Sequence, residues 1–557
     1  AFLSPNNLTE AANESNYYTL QGLAEYTKKF NKHQVNLLLG YSFEENKSSN
    51  FNGFRDNLPG DDLTVLNVGS PSNMQSAGTG SEWAIESEFA RANYSYANKY
   101  LIEGVVRRDA SSRFAPSYKY AVFPSVAVGW RIGQEAFIQK NLPWVSELKL
   151  KASTGVLGNQ NIGNYPYQNA LVGIANGGGN AANNTNGFNG TNYSFGGAIA
   201  QGVARATFVD STIHWESTRT TDVGLELGVN NKFNFSATYF TRLTDDILYS
   251  PSASVSNALG VNLSESNTGS LRNNGWEFTA GIKDNIGKVG YNINGNFSII
   301  NNKVLDLGVG NITQPNGMVG NGSTLFIGYP MNLYYGYVAD GLFVDTGDIK
   351  SWPNITKVNP APKPGDVRFK DISGPDGVPD GVVDATYDRT VLGSQIPKYT
   401  YGVNLGANYK GFDVSVLLQG VAGVQGNLAG SFGFAFNNNG NLQRWQYEER
   451  WTTDNPDRYA KYPRLEIITN SGTANSLSSS FWTLDGSYLR IKNLQFGYSL
   501  PKTVLQSIKI SNARFYVSGE NLRTFSNYRK GWDPEINTGG NFYPILSNFT
   551  FGLNLTF

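Results

Sequence analysis

Apolar and polar residues alternate along most of this chain. In residues 291–299, Tyr291, Ile293, Phe297 and Ile299 share one side with Gly295, and Asn292, Asn294, Asn296 and Ser298 share the other. Tyr401, Val403, Leu405, Ala407 and Tyr409 alternate with Gly402, Asn404, Gly406 and Asn408. Val223, Leu225, Leu227 and Val229 alternate with Gly224, Glu226, Gly228 and Asn230, and Phe233, Phe235, Ala237 and Tyr239 with Asn234, Ser236 and Thr238. A period of two is that of a strand with one apolar and one polar face. About fifteen such segments, most of about ten residues or longer, run the length of the chain.

The connections between them are uneven. Asn230-Asn231-Lys232, Asp284 to Lys288 and Tyr409-Lys410-Gly411 read as tight turns, whereas residues 47–81, 160–212, 346–388 and 425–480 read as long loops rich in Gly, Asn and Ser. Short turns alternating with long loops describe an outer-membrane barrel with short periplasmic turns and long extracellular loops. A set of soluble β-sandwiches would also alternate. Three features favour the barrel. The strands exceed the usual length of about 5–6 residues. Their polar faces are mostly Asn, Ser, Gly and Thr, as a watery lumen requires. Aromatics such as Phe233, Tyr239, Tyr291, Tyr401 and Tyr409 stand at the ends of apolar faces, where interfacial girdles lie. The expected fold class is all-β, a transmembrane antiparallel β-barrel, and residues 1–557 are expected to form one barrel portion as a single domain.

Composition narrows the function. The 557 residues carry 44 Lys+Arg and 44 Asp+Glu, so no basic excess points to nucleic acid. Charged residues are 16% and aromatics 13%, which excludes a disordered chain. There is no cysteine, and only His33 and His214 are present, so thiolate and most imidazole metal sites lack ligands. No apolar run approaches the length of a membrane-spanning helix, and no signal segment opens the sequence. Enzyme motifs fail one by one. His214 is followed by Trp215-Glu216 rather than a zinc-protease pattern. Gly281 to Lys288 lacks phosphate-loop spacing. The pairs Asp245-Asp246 and Glu448-Glu449 are ordinary on solvated loops. No catalytic residue is expected.

Two constellations could bind something. Asp371, Asp376, Asp380, Asp384 and Asp388 fall in one loop, and Gly377 and Gly381 each follow an Asp, as in the turn of a calcium loop. Such a loop can offer enough oxygens for structural Ca²⁺. Against this, Val378 occupies a ligand position, and Pro375 and Pro379 restrict the backbone. The plainer alternative is a turn loop whose Asp side chains cap their own backbone. The second constellation is the aromatic content of two loops: Trp445, Tyr447, Trp451 and Tyr459 in one, and Tyr165, Tyr167 and Tyr193 in the other. Sugar rings stack on such faces. The alternative, which the pattern favours, is that the rings pack within the loops or against a partner protein.

The chain ends Asn548-Phe549-Thr550-Phe551-Gly552-Leu553-Asn554-Leu555-Thr556-Phe557, with Phe549, Phe551, Leu553, Leu555 and Phe557 on one face. Thr550, Gly552, Leu555 and Phe557 fill a pattern that resembles the C-terminal assembly signal of outer-membrane barrels. Longer segments carry a family resemblance: GYPMNLYYGYVADGLF at 328–343, GDVRFKDISGPDGVPDGVVDATYDRTVLG at 365–393 with Pro397 to Gly402 close behind, LDGSYLRIKNLQFGYSL at 484–500, and RFYVSGENLRTF at 514–525 with Gly531-Trp532-Asp533-Pro534-Glu535 following. In order and spacing the chain resembles the C-terminal barrel portion of SusC/RagA-type TonB-dependent transporters of Bacteroidetes outer membranes.

That resemblance implies a 22-stranded barrel filled by a plug domain. It implies energy-coupled import of oligosaccharides or peptides, a SusD-like surface lipoprotein as lid, and coupling to the TonB complex through an N-terminal segment not in this sequence. It also implies outer-membrane lipid around the wall and pairing of transporter–lipoprotein units into a dimer. No cofactor is required, and a structural calcium ion in the Asp loop is the one candidate. The plug and first strands are not visible here, so residue 1 is expected to lie within the barrel, and the fragment alone, with two open edges, is not expected to be stable in a membrane. Two other readings remain open: a passive porin, and a secreted β-rich adhesin or glycan-binding protein.

Overall fold

The computed structural model describes residues 5–557 apart from 170, 174–192, 197, 201, 202, 206, 251–261, 438, 439, 468–471, 507–509 and 537–542. Fifteen strands form one sheet in which spatial order follows chain order. They are β1 (Asn7–Phe30), β2 (His33–Asp56), β3 (Gln75–Tyr96), β4 (Tyr100–Ser111), β5 (Tyr120–Trp130), β6 (Val145–Asn159), β7 (Glu216–Val229), β8 (Phe233–Tyr249), β9 (Ser266–Ile286), β10 (Val289–Asp306), β11 (Tyr399–Tyr409), β12 (Phe412–Ala422), β13 (Tyr488–Ser499), β14 (Asn512–Ser526) and β15 (Asn548–Thr556). The chain divides into two compact units: residues 1–129, 153–220 and 244–269, and residues 130–152, 221–243 and 270–557.

In the first unit β1, β2, β3 and β4 pair antiparallel in succession, with Leu23 opposite Gly40, Gly40 opposite Phe89, and Phe89 opposite Arg107. In the second unit β9 to β15 do the same. The tight turns fall where the sequence places them. Asn230 and Asn231 both take positive φ, as do Lys410 and Gly411. Two successive left-handed residues are the hairpin geometry that matches strand twist, and Asn and Gly adopt it at least cost.

The apolar face of the sheet is bare. On β5, Val122, Val126 and Val128 are exposed, and on β15 Phe551 is 83% exposed. In a soluble sandwich these side chains would be covered. Here the buried clusters lie instead in the connections: one around Phe114, Phe123, Ile213 and Trp215, one around Leu342, Phe343, Val367 and Trp451, and one around Leu428, Tyr462, Trp482 and Tyr528. Rings also gather near the short turns, where Phe30 stacks on His33, and His33 lies against Tyr94 and Tyr96. Amphipathic rings at strand ends suit a membrane–water interface. No helix among the described residues is long and apolar enough to cross a membrane.

Three loop boundaries differ from the sequence reading. The first long connection is 57–74 rather than 47–81, because β2 and β3 stay paired through Ser48 opposite Ser81 and Asn52 opposite Ala77. Those strand ends are polar on both faces, so the alternation that marks a strand disappears there although the ladder continues. The loops read at 346–388 and 425–480 are parts of longer connections, 307–398 and 423–487, which contain short helices and two-stranded pairs of their own. The loop at 160–212 lies largely outside the described residues.

Rings cover glycines across the ladder. A Cβ on Gly40 would meet the Phe89 ring at 2.2 Å, and one on Gly552 would meet Cζ of Tyr516 at 2.1 Å. Gly552 faces Tyr516 directly, so the glycine of the terminal pattern has a packing reason. Gly552→Leu in the full-length protein is expected to cost about 1–3 kcal/mol through overpacking. It should lower the yield of heat-modifiable folded protein in outer membranes, with recovery in Gly552→Leu/Tyr516→Ala. Unchanged yield in the single variant would contradict this packing account.

Candidate functional site

The long connections of the second unit fold into one another. Leu342 N–H donates to the Arg458 carbonyl, Arg464 N–H to the Gly365 carbonyl, Tyr337 N–H to the Ser478 carbonyl, and Val367 N–H to Asn475 Oδ1 at 2.8 Å. Residues near 340–370 and 450–480 therefore share one core, although β11 and β12 separate them in sequence. Charge is buried inside it. Asp366, 1% exposed, accepts from Arg464 Nε at 2.5 Å, Asn359 Nδ2 at 2.9 Å, Asn475 Nδ2 at 3.0 Å and its own neighbour Lys363 N at 2.9 Å. Arg368 pairs with Asp340 and Asp348 and lies 3.9 Å over the Trp352 ring. Buried ions kept in this way are fully partnered, which is the condition for tolerating them.

A second buried guanidinium anchors the loop after β14. Arg490, at the start of β13, reaches Asp533 at 2.5 Å, Glu535 at 2.6 Å and Thr524 Oγ1 at 2.9 Å, while Tyr488 Oη donates to Glu535. Its segments belong to the stretches that carry the family resemblance, but nothing in their spacing identifies the ion pairs. Burial pushes the hydroxyls of Tyr462 and Tyr528 up to about 12. Both stay neutral, and Tyr462 Oη accepts from Ala435 N–H.

The five Asp residues read as a calcium loop do not converge. Asp388, fully buried, accepts from the backbone N–H groups of Ile372, Ser373 and Asp384. Asp384 accepts from Thr386 and Tyr387 N–H and from Lys357 Nζ at 3.0 Å. Asp371 accepts from Gly381 N–H, and Asp380 from Val382 N–H. Asp376 is exposed. Among the described residues no group of three or more acidic, His or Cys side chains could hold a metal. The arrangement does not fit Ca²⁺: Asp371, Asp380, Asp384 and Asp388 direct oxygens to backbone N–H groups of the loop, and their one buried oxygen left without a partner, Asp371 Oδ1, has no second carboxylate converging on it among the described residues. The backbone-capping alternative describes this loop.

The loop aromatics divide. Trp451 is buried in the core with Leu342 and Val367, and its ring fills the space against Gly365. Trp445 packs on Tyr462, carries the Arg529 guanidinium 3.7 Å above its ring and donates Nε1–H to Gln443 Oε1. These two are packing residues and do not fit a ligand surface. Tyr447 and Tyr459 are exposed, the former beneath Arg450. Tyr165 and Tyr167 meet edge to face at 6.4 Å. The side chain of Tyr193 lies outside the described residues.

Sequence reading missed a further group, in the first unit, on the polar face of β1–β3. Tyr17, Asn46 and Trp83 stand opposite one another across the three strands. Tyr17 and Trp83 ring centroids are 6.1 Å apart at 47°. Tyr17 Oη donates to Glu44 Oε2 at 3.0 Å and accepts from Thr19 Oγ1. The Arg113 guanidinium lies 5.4 Å from the Trp83 centroid and donates to the Ile162 and Gln160 carbonyls, and burial lowers its pKa. The residues fell inside or beside a segment read as loop, so their shared face was hidden.

Comparison with known proteins follows this geometry closely. No family model matches the chain. It is 29% identical to the TonB-dependent receptor P3 of Formosa agariphila over an alignment of 575 residues, covering 99% of this chain and 52% of the relative. It is 30% identical to the TonB-dependent receptor P26 of the same organism over 500 residues, covering 86% and 46%. Against the TonB-dependent receptor SusC of Bacteroides thetaiotaomicron it is 27% identical over 554 residues, covering 96% and 49%. Among solved structures, the RagAB peptide importer in its open-open state superposes with a TM-score of 0.78 at 25% identity, covering 99% of this chain and 55% of that one. The closed-closed state gives 0.76 at 25% identity, with 99% and 56% covered. The chain spans about half the length of the curated relatives it matches. With the bare apolar sheet face, these matches give the fold class expected from the sequence, an all-β transmembrane antiparallel barrel.

Two outcomes are expected of the loop core. Asp366→Ala leaves Arg464 and Asn475 short of a partner and should cost the core about 3 kcal/mol. Limited proteolysis should then cut near 340–370 and 450–480 together, and cutting in only one of them would contradict a shared core. Asp384 gives a pH dependence. Burial pushes its carboxyl up, but the Lys357 ammonium and the Tyr387 and Thr386 N–H groups outweigh this and hold it below the ordinary 3.8. Its contribution is therefore complete above the ordinary value and lost as pH falls below it. Asp388, which burial pushes up, acts in the opposite direction, so the Asp384 contribution is read by difference: protease protection of residues 371–388 should fall more on acidification in the wild type than in Lys357→Met.

Proposed function

Similarity over nearly its whole length to the barrel portion of SusC/RagA-type TonB-dependent receptors is the premise from which we propose that this chain forms the wall of an energy-coupled nutrient importer. It is an outer-membrane β-barrel protein. The observation that carries the reading is the conjunction of that similarity with a sheet whose apolar face is left bare. Lipid is the solvent that such a face requires, and only fully paired backbone is stable there.

In this reading the strands supply the wall, the polar faces line the interior, and the co-folded connections of the second unit stand outside the cell. The other half of the relatives' length would supply the plug and the contact with TonB. The cargo class is oligosaccharide or peptide. A SusD-like surface lipoprotein would close over the exterior loops, a proposal supported by the two-component RagAB structure that the chain resembles. The exterior core of buried ion pairs suits this task, because a lid that opens and closes repeatedly needs a base that does not unfold with it. We assign no catalytic residue.

The test is uptake by cells carrying the full-length protein and its lipoprotein partner, using labelled oligosaccharides and peptides too large for general porins. Accumulation is expected to fall to background when TonB is deleted. Accumulation unaffected by that deletion, with steady ion conductance in planar bilayers, would contradict the reading and identify a passive porin.

A further inference from the structure

The polar face of the long β1–β2–β3 extension carries an ordered array. Four cross-strand rows follow one another: Thr19, Glu44 and Ile85; Tyr17, Asn46 and Trp83; Ser15, Ser48 and Ser81; and Asn13, Asn50 and Thr79. Successive rows are about 6.6 Å apart, since every second residue faces the same way. The last two rows, with Glu14, Ser49 and Gly80 between them in the ladder, line a groove of about 350 Å³. Its side chains form a hydroxyl and carboxamide surface: Ser48 and Ser81 hydroxyls lie 3.0 Å apart, Asn46 Nδ2 donates to Ser15 Oγ at 3.2 Å, and Thr79 N–H donates to Asn50 Oδ1 at 3.0 Å. The Tyr17–Asn46–Trp83 row, with its two rings, is the next one along the same face.

We propose that this array is a binding site for a neutral oligosaccharide. The inference rests on the importer reading and names the cargo class. A ring platform beside a field of uncharged donors and acceptors matches a sugar, which offers a C–H face to aromatics and hydroxyls to Ser and Asn. The charges on this face do not await a ligand. Glu44 is bonded by Tyr17, and Arg113 is bonded to two carbonyls and covered by Trp83. A peptide presents termini and charged side chains; of the carboxylates beside these rows, Glu44 is bonded by Tyr17 and Glu14 by Asn16. The arrangement also gives Glu44 and Arg113 a positioning role: one fixes the Tyr17 hydroxyl, the other supports one side of the Trp83 ring.

The experiment uses the full-length protein purified in detergent, applied to an array of neutral plant and algal oligosaccharides and to a peptide array of similar length. The expected result is retention of at least one neutral glycan series, weakened about tenfold or more in Trp83→Ala and in Tyr17→Ala, with Trp83→Phe keeping most of it. Heat-modifiable mobility of each variant shows that the barrel has folded. The Phe variant keeps the result interpretable if an Ala variant does not fold. Retention of no neutral glycan, retention of peptides alone, or glycan retention indifferent to both rings would overturn the proposal. TonB-dependent uptake that persists at full rate in Trp83→Ala would overturn it while leaving the importer reading in place. Glycan retention sensitive to the rings, without energised uptake, would support the site and count against the importer.

Discussion

Backbone N–H and C=O groups in hydrocarbon have no water to bind, and everything in this chain follows from satisfying them between strands. A strand that pairs on both edges has only its two faces left to vary, so the sequence writes function and environment into alternate residues. Odd and even positions of β10 thus differ as completely as membrane and lumen do: Ile293 and Phe297 on one side, Asn292, Asn294 and Asn296 on the other. At Gly40 and Gly552 the ring of the cross-strand partner lies over the place a Cβ would take, so the glycine is covered by its neighbour.

Outside the membrane the constraint relaxes and a different one takes over. Connections of this length cannot be ordered by turns alone, because their conformational entropy is large. The second unit orders them with a small apolar core around Leu342, Phe343, Val367 and Phe369, and with two buried cations, Arg368 and Arg490, and the half-buried Arg464, each held by two carboxylates. Ion pairs of this kind add little net stability over an apolar core, but removing one partner is costly. They tie residues far apart in sequence into one arrangement.

The strands were largely legible in the sequence, and the site was not. Alternation marks β11 nearly whole and a stretch of seven to nine residues within each of β7, β8 and β10, and Asn230-Asn231 and Lys410-Gly411 mark turns, because lipid on one face and water on the other impose opposite chemistry. The extension of β2 and β3 beyond the apolar zone was illegible for the same reason. Water lies on both of its faces, so Ser48 to Asn52 read as loop although they remain in the ladder. Trp445 and Trp451 drew attention as rings in loops, yet they pack inward, since period and spacing say nothing about which loops share a core. The Asp residues of 371–388 resemble cation ligands in composition, and only the backbone geometry shows that most of them answer their own N–H groups. Tyr17 and Trp83 meet only because Asn46 stands between them, a relation that needs the register.

The central claim is that the bare apolar face meets lipid. The chain has no cysteine, so a single cysteine can be introduced at a chosen position of it, with any cysteine elsewhere in the full-length protein replaced by serine. Nitroxide labels at positions 121, 122, 125, 126, 127 and 128 of β5, in full-length protein reconstituted into bilayers, report collision with dissolved oxygen, which concentrates in hydrocarbon. The account requires high collision rates at 122, 126 and 128 and low rates at 121, 125 and 127. Equal rates at the two sets, or the inverse pattern, would contradict it.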